Sequence, residues 1–219
     1  MKKYLKILRQ CPLFYDIEDN ELLGMLGCLD AKVETFDKKY TVFAEGKPAS
    51  FIGILLSGMI QIIQIDYYGN RNIVSHAEPG DIFCEAFACA ETKSLPVSVI
   101  AAEPSEIMLI NCRHILHTCS NSCTHHQQLI FNLMRSLATK NIMFHQKLEI
   151  TSKRSTREKL LTFLQFYSQK TGSNTFDIPY DRQELADYLE VERSGLSVEI
   201  SKLCREGIIE SQRSRFTLL

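Results

Sequence analysis

The sequence predicts an α+β fold in three parts: an antiparallel β jelly-roll barrel, a long helix, and a C-terminal pair of short helices followed by a strand hairpin. Three observations lead there. Residues 36–112 carry short apolar or alternating runs punctuated by glycine. A four-three apolar repeat runs through residues 130–148. Residues 182–209, RQELADYLEVERSGLSVEISKLCREGII, hold two helical patterns across a tight turn. The matching domain division is 1–120 for the barrel, 121–150 for the helix and 151–219 for the C-terminal part.

The barrel comes first. FIGILLSGMIQIIQIDYYGNRNIVSHAEPGDIF contains alternating and continuous apolar stretches, with Gly58, Gly69 and Gly80 at the expected turns. Tyr68, Gly69 and Asn70 between two such stretches form a hairpin signal. Many short strands with regular turn punctuation suit a small antiparallel barrel or jelly roll.

From about residue 121 the pattern becomes helical. Ile130, Met134, Leu137, Asn141, Phe144 and Leu148 follow alternating steps of four and three residues. That spacing makes a coiled-coil seam, and a polar Asn141 within it can fix register and a two-stranded state. The seam predicts a dimerisation helix; the alternative is a helix packed on its own barrel. Lys153, Arg154, Ser155 and Arg157 then form a polar hinge into the helix REKLLTFLQFYSQK.

In the C-terminal part, Asp181 stands at an N-cap position and Glu184, three residues on, completes an acidic capping box. Leu185, Ala186 and Leu189 give the first short helix its apolar face. Leu196, Ile200 and Leu203 do the same for the second. The strand pair follows after Gly207, with Gln212, Arg213, Ser214 and Arg215 at its tip. This is the layout of a winged helix-turn-helix, whose second helix enters the DNA major groove.

The outward face of that helix carries Arg193, Ser194, Ser197, Val198, Ser201 and Lys202. Arg193 is the candidate for a bidentate contact to guanine. Ser194 and Ser197 can reach base edges or phosphates, and Lys202 suits backbone phosphate. Arg182, Gln183 and Arg213 complete the candidate DNA-binding set. Two features oppose the reading. Glu190 occupies the turn where glycine best tolerates a left-handed backbone, and Glu192 stands where Ser or Thr caps better. Residues 151–219 also hold eleven Lys and Arg against ten Asp and Glu, without the basic excess usual for DNA binding. An amphipathic helical hairpin of another α/β protein is the alternative.

Composition narrows the classes. The 219 residues accommodate two small domains, and a net charge of −1 favours no particular partner. No apolar run approaches the ~18 residues of a membrane-spanning helix, and the basic residues 1–10 lack the apolar core of a signal peptide behind them. Eight cysteines in that setting predict a reducing cytoplasm, with thiols or metal ligands rather than disulfides. An enzyme is not expected. His76 is the only histidine before Arg113, so a two-histidine cupin-like metal site cannot assemble on the barrel. No phosphate-binding glycine loop or nucleophile elbow is present.

Barrel, long helix and winged helix in this order resemble the Crp–Fnr family of bacterial transcription regulators. The resemblance covers nearly the whole chain. It is carried by the glycines Gly46, Gly58, Gly69 and Gly80, by GDIFCEAF at residues 80–87, and by RQELADYL before the recognition helix. It implies a cytoplasmic homodimer that reads a two-fold site in double-stranded DNA, with surface loops touching RNA polymerase in members that activate transcription. It also places the family's base-reading positions at Arg193, Ser194 and Val198.

The effector positions of the cyclic-AMP branch map onto different chemistry. Gly80 opens the motif; the ribose pair becomes Cys84 and Glu85, the phosphate pair Leu95 and Pro96, and the adenine pair falls near Ile142 and Met143. A buried phosphodiester needs a cation that Leu95 cannot supply, which disfavours cyclic AMP. The iron–sulfur branch needs several close cysteines before the barrel, where this chain has Cys11 and a distant Cys28. The haem branch matches at Cys84, but Ala86 stands in place of its histidine and leaves only His76 as a substitute. A denser set, Cys112, His114, His117, Cys119, Cys123, His125 and His126, lies at the barrel-to-helix junction. Cys112, Cys119 and Cys123 are candidate thiolate ligands for a metal or cluster; ordinary thiols and surface histidines are the alternative. The expected function is a dimeric sequence-specific transcription regulator with an unidentified effector. The alternatives are an interaction module that has lost DNA binding, and a Cys/His metal or redox sensor.

Overall fold

The computed structural model describes residues 1–65, 67–68, 71–116 and 124–219. The chain divides into two compact units, Met1–Thr139 and Lys140–Leu219.

The first unit opens with two helices, α1 (Leu5–Leu8) and α2 (Asp19–Cys28), and continues through eight strands. These are β1 (Lys32–Phe36), β2 (Thr41–Phe43), β3 (Phe51–Ser57), β4 (Ile60–Ile65), β5 (Arg71–Ala77), β6 (Ile82–Phe83), β7 (Ser98–Ala101) and β8 (Ser105–Asn111). A short helix α3 (Glu85–Cys89) follows β6, and α4 (Cys112–Leu116) follows β8. The strands form two antiparallel four-stranded sheets, in the orders β1-β8-β3-β6 and β2-β7-β4-β5. The expected jelly roll is present, but among the described residues no ladder joins the two sheets into a closed barrel. The edge strands β2 and β6 have three and two residues, too short to carry hydrogen bonding round the side.

Strand β3 shows why the roll holds together. Its apolar run has no polar alternation because both faces are buried. Leu55 points between the sheets towards Ile107 and Phe83, while Ile52, Ile54 and Leu56 join Met108 and Ile110 under the N-terminal helices. Gly53 is the exception on the inner face: the Phe83 ring lies directly over it, where a Cβ would sit 2.1 Å from the ring. The expected Gly69 and Asn70 turn lies outside the described residues; the strands on either side, β4 and β5, pair antiparallel from Ile60–Ala77 to Ile65–Arg71.

Helix α5 (Thr124–Thr151) begins in the first unit and ends in the second. Near its start Leu129 and Leu133 are buried, and Asn132 donates to the carbonyls of Leu13 and Tyr15 at 3.1 and 2.7 Å. Beyond Thr139 the helix is largely exposed up to Ile150.

The second unit adds α6 (Thr156–Thr171), β9 (Thr175–Asp177), α7 (Arg182–Leu189), α8 (Arg193–Arg205), β10 (Ile209–Gln212) and β11 (Arg215–Leu218). The three strands form one antiparallel sheet in the order β10-β11-β9. Both α6 and α7 start on complete capping boxes. Ser155 pairs with Glu158 in one and Asp181 with Glu184 in the other, the latter with hydrogen bonds of 2.8 and 2.7 Å. Leu160, Phe163, Leu185, Leu196, Leu203 and Phe216 are the centre of a separate hydrophobic core.

The α7–α8 turn contains one of the two left-handed non-glycine positions of this unit, the other being Arg213. Glu190 adopts the left-handed conformation, with φ 55° and ψ 55°, and Glu192 caps α8 without a side-chain hydrogen bond. Compensation comes from α6: Lys159 Nζ donates to the carbonyls of Leu189 and Glu190 at 3.1 and 3.3 Å. Glycine carries no Cβ penalty in this conformation, so Glu190→Gly is expected to stabilise the unit by about 1 kcal/mol. Urea unfolding of the variant checks it, an unchanged or lower midpoint contradicting the argument.

Candidate nucleic-acid interface and sensor site

Helix α8 is two-faced because its apolar residues recur at helical spacing. Leu196, Ile200 and Leu203 are buried against α7 and the sheet, which leaves Arg193, Ser194, Ser197, Val198, Ser201 and Lys202 exposed together. Arg193, at the first turn, forms no ion pair among the described residues. Ser197 Oγ donates to the Arg193 carbonyl and Ser201 Oγ to the Ser197 carbonyl, each at 3.0 Å. Their protons are thereby used within the helix, and both hydroxyls present acceptor lone pairs outward. Lys202 Nζ lies 3.5 Å from Glu199 Oε2.

Arg182 has an internal role. Its guanidinium is half-buried, lies 5.7 Å from the Phe216 ring centre and donates to the Arg213 carbonyl at 3.4 Å. Burial holds its pKa below the usual guanidinium range. Gln183 is exposed and donates to Asp187 at 2.8 Å. Arg213 is exposed at the tip of the β10–β11 hairpin, in a left-handed conformation, with Ser214 as the other loop residue.

Two residues with structural duties here escape local pattern reading. Lys159 clamps the helix turn, as described above. Arg157, in the first turn of α6, reaches Glu206 at 2.6 Å and Glu199 at 3.4 Å, tying α6 to α8. Hydrogen bonding to Glu206 raises the Arg157 pKa and lowers that of Glu206. These contacts join residues 30 to 49 positions apart in the chain, so no periodicity signals them.

In the first unit the motif residues gather round α3. Gly80 takes φ 98° before β6, and Cys84, at the N-cap of α3, is left-handed with φ 60°. Glu85 opens α3 and is 3% exposed. The following loop is pinned by backbone bonds: Leu95 N–H to the Lys47 carbonyl and Gly46 N–H to the Leu95 carbonyl, both 2.9 Å. Leu95 is buried and Pro96 exposed. A cyclic phosphodiester does not fit this donor set, because the position that must offer a cation holds a buried leucine and the nearby Lys47 and Lys93 are solvent-exposed. Ile142 and Met143 are exposed residues of the second unit, so the sequence-predicted pocket is drawn from both units.

Among the described residues no three His, Cys, Asp or Glu side chains converge as a metal site. His76 is exposed on β5, Cys84 and Cys11 are buried, and Cys28 is exposed. His114 Nδ1 is 3.1 Å from the Leu29 carbonyl, buried His126 Nε2 is 2.7 Å from that of Ile115, and His125 faces Glu21 at 2.9 Å. His117, Cys119 and Cys123 lie outside the described residues. Cys112 is buried with its sulfur 3.4 Å from Cys89 Sγ. Their hydrogen bond lowers the pKa of Cys89 and, together with burial, pushes that of Cys112 up.

Comparison with known proteins agrees with this architecture. Residues 33–122 match the model of the cyclic nucleotide-binding domain, and residues 158–219 match that of the Crp-like helix-turn-helix domain. The two regions together span more than half of the chain, which belongs to the Crp–Fnr family of transcription regulators, a family of DNA-binding proteins and not of enzymes. It is similar to the transcriptional activator protein FnrL of Cereibacter sphaeroides, 24% identical over 189 residues, covering 82% of this chain and 73% of that protein. The fold resembles that of DNR from Pseudomonas aeruginosa, with a TM-score of 0.52, 21% identity, and coverage of 100% and 95% of the two chains. It also resembles the c-di-GMP-responsive global regulator CLP of Xanthomonas campestris, with a TM-score of 0.56, 15% identity, and coverage of 90% and 98%. Among the described residues no helix is long and apolar enough to cross a membrane.

Proposed function

We propose that the protein acts in the cytoplasm as a homodimer that reads a two-fold DNA site through α8 and responds to an effector other than cyclic AMP. The observation that carries the DNA-reading role is the sorting of α8, with Leu196 and Leu203 fully buried and an unbroken outward row from Arg193 to Lys202. Arg193 supplies the base contact, with Ser194, Ser197 and Val198 beside it; Arg213 and Gln183 flank them, and Arg182 holds the hairpin in place. The sensing side is the α3 segment round Glu85. Leu95 in place of a phosphate-binding cation supports a ligand without a phosphodiester at that point. The same fold serves other signals, since CLP is described as responsive to c-di-GMP. Contact with RNA polymerase is part of the same reading for a regulator that activates.

Selection of bound sequences from a random duplex pool tests the proposal. The expected result is an enriched two-fold site with half-sites about one helical turn apart. Arg193→Ala is then expected to weaken binding to that site by about 10- to 100-fold and to relax preference at one base pair of each half-site. A uniform loss across all sequences assigns Arg193 to phosphate instead. The near-neutral charge of the C-terminal part favours one competing reading, an interaction module without DNA binding, and absence of any enrichment establishes it.

A further inference from the structure

Cys89 ends α3 and Cys112 opens α4, two helices that pack on each other, and their sulfur atoms lie 3.4 Å apart. Cys89 is half-buried, whereas Cys112 is 2% exposed and part of the core. A disulfide sets its sulfurs about 2.05 Å apart, so closure requires about 1.4 Å of approach. We propose that Cys89 and Cys112 form an oxidisable dithiol, converted by hydrogen peroxide into an intramolecular disulfide that fastens α3 to α4.

The chemistry follows from which sulfur the solvent reaches. Cys89, as its thiolate, attacks one oxygen of the peroxide. The O–O bond breaks, hydroxide leaves and takes up a proton to become water, and Cys89 becomes a sulfenic acid. Cys112, shielded from the oxidant but in contact with Cys89, loses its proton and attacks the Cys89 sulfur. The S–O bond breaks, a second hydroxide leaves as water with that proton, and the S–S bond forms. The two thiols lose two electrons and two protons, and the peroxide is reduced to two waters. The cross-link immobilises the helix that begins with Glu85, directly after the left-handed Cys84. Only its consequence for transcription rests on the function proposed above.

The test uses the full chain, fully reduced, treated with equimolar hydrogen peroxide, digested without reduction and mapped by mass spectrometry. The expected product is a peptide pair joining residues 89 and 112, two hydrogens lighter than the separate peptides and cleaved by dithiothreitol. Amide exchange in α3 is expected to slow by about tenfold or more. The double variant Cys119→Ser/Cys123→Ser should give the same cross-link, and Cys112→Ala should accumulate Cys89 sulfenic acid trappable by dimedone. A disulfide that joins other cysteines, or Cys89 carried to sulfinic acid beside a free Cys112, overturns the proposal. The mapping needs no DNA, so its failure is distinguishable from failure of the selection experiment, which bears only on the regulator reading.

Discussion

Replacing Phe144 and Leu148 together with glutamate is expected to convert the protein from dimer to monomer and to weaken binding to a two-fold DNA site by about 10²- to 10⁴-fold, the loss of avidity from a second linked contact. Phe144 and Leu148 are 68% and 64% exposed in the single chain, and Met134 is 59% exposed on the same seam. Large side chains left in water at four-three spacing are the signature of a helix whose partner is a second helix. Four carboxylates in one apolar seam remove that attraction and add repulsion. Met143→Glu is the control. Met143 is 61% exposed but lies about 100° round the helix from Phe144, so the dimer should survive. Sedimentation of both variants decides the matter. A double variant that remains dimeric moves the interface elsewhere.

Gly58→Ala is expected to cost the first unit about 3–5 kcal/mol, a large share of the ~5–15 kcal/mol that keeps an ordinary domain folded. Gly58 takes φ 87° between β3 and β4. A Cβ there would meet Ser105 Oγ at 2.4 Å, the Pro104 carbonyl at 2.5 Å and Ser105 Cα at 2.9 Å. Two of these three are backbone atoms, which cannot swing aside. Gly46→Ala separates the two causes, since Gly46 has φ 79° but open space around it, and a cost of about 1 kcal/mol is expected for backbone strain alone. Thermal unfolding of the pair checks the difference. Equal shifts would mean that the close approach to Ser105 relaxes.

What the sequence displays is what is local. The continuous run of β3 announces a strand buried on both faces, Asp181 and Glu184 announce their helix start, and the spacing of Leu196, Ile200 and Leu203 separates the two faces of α8. Contacts between distant segments leave no such trace. Lys159 under the Glu190 turn, Arg157 across to Glu199 and Glu206, and Cys89 beside Cys112 depend on the tertiary fold. Periodicity is also ambiguous where one helix serves two surfaces. Ile130 and Leu137 obey the seam spacing, yet both pack partly on the core of their own unit, alongside buried Leu129 and Leu133. Met134 and the later seam positions, Asn141, Phe144 and Leu148, are exposed. Closure of the barrel is likewise invisible in sequence, because it depends on the lengths of edge strands such as β2 and β6.

The Arg157 bridge bears on how an almost neutral head can approach a polyanion. Glu199 lies in α8 and Glu206 caps its C-terminal end, beside the row proposed to face DNA, and left alone their field would oppose the phosphates. Arg157 takes up both from the side of α6, while Arg193 and Arg213 stay exposed. Composition averages this pairing away. What an incoming duplex meets is the arrangement of charge and not its total, and that arrangement is set by a residue that never needs to touch DNA.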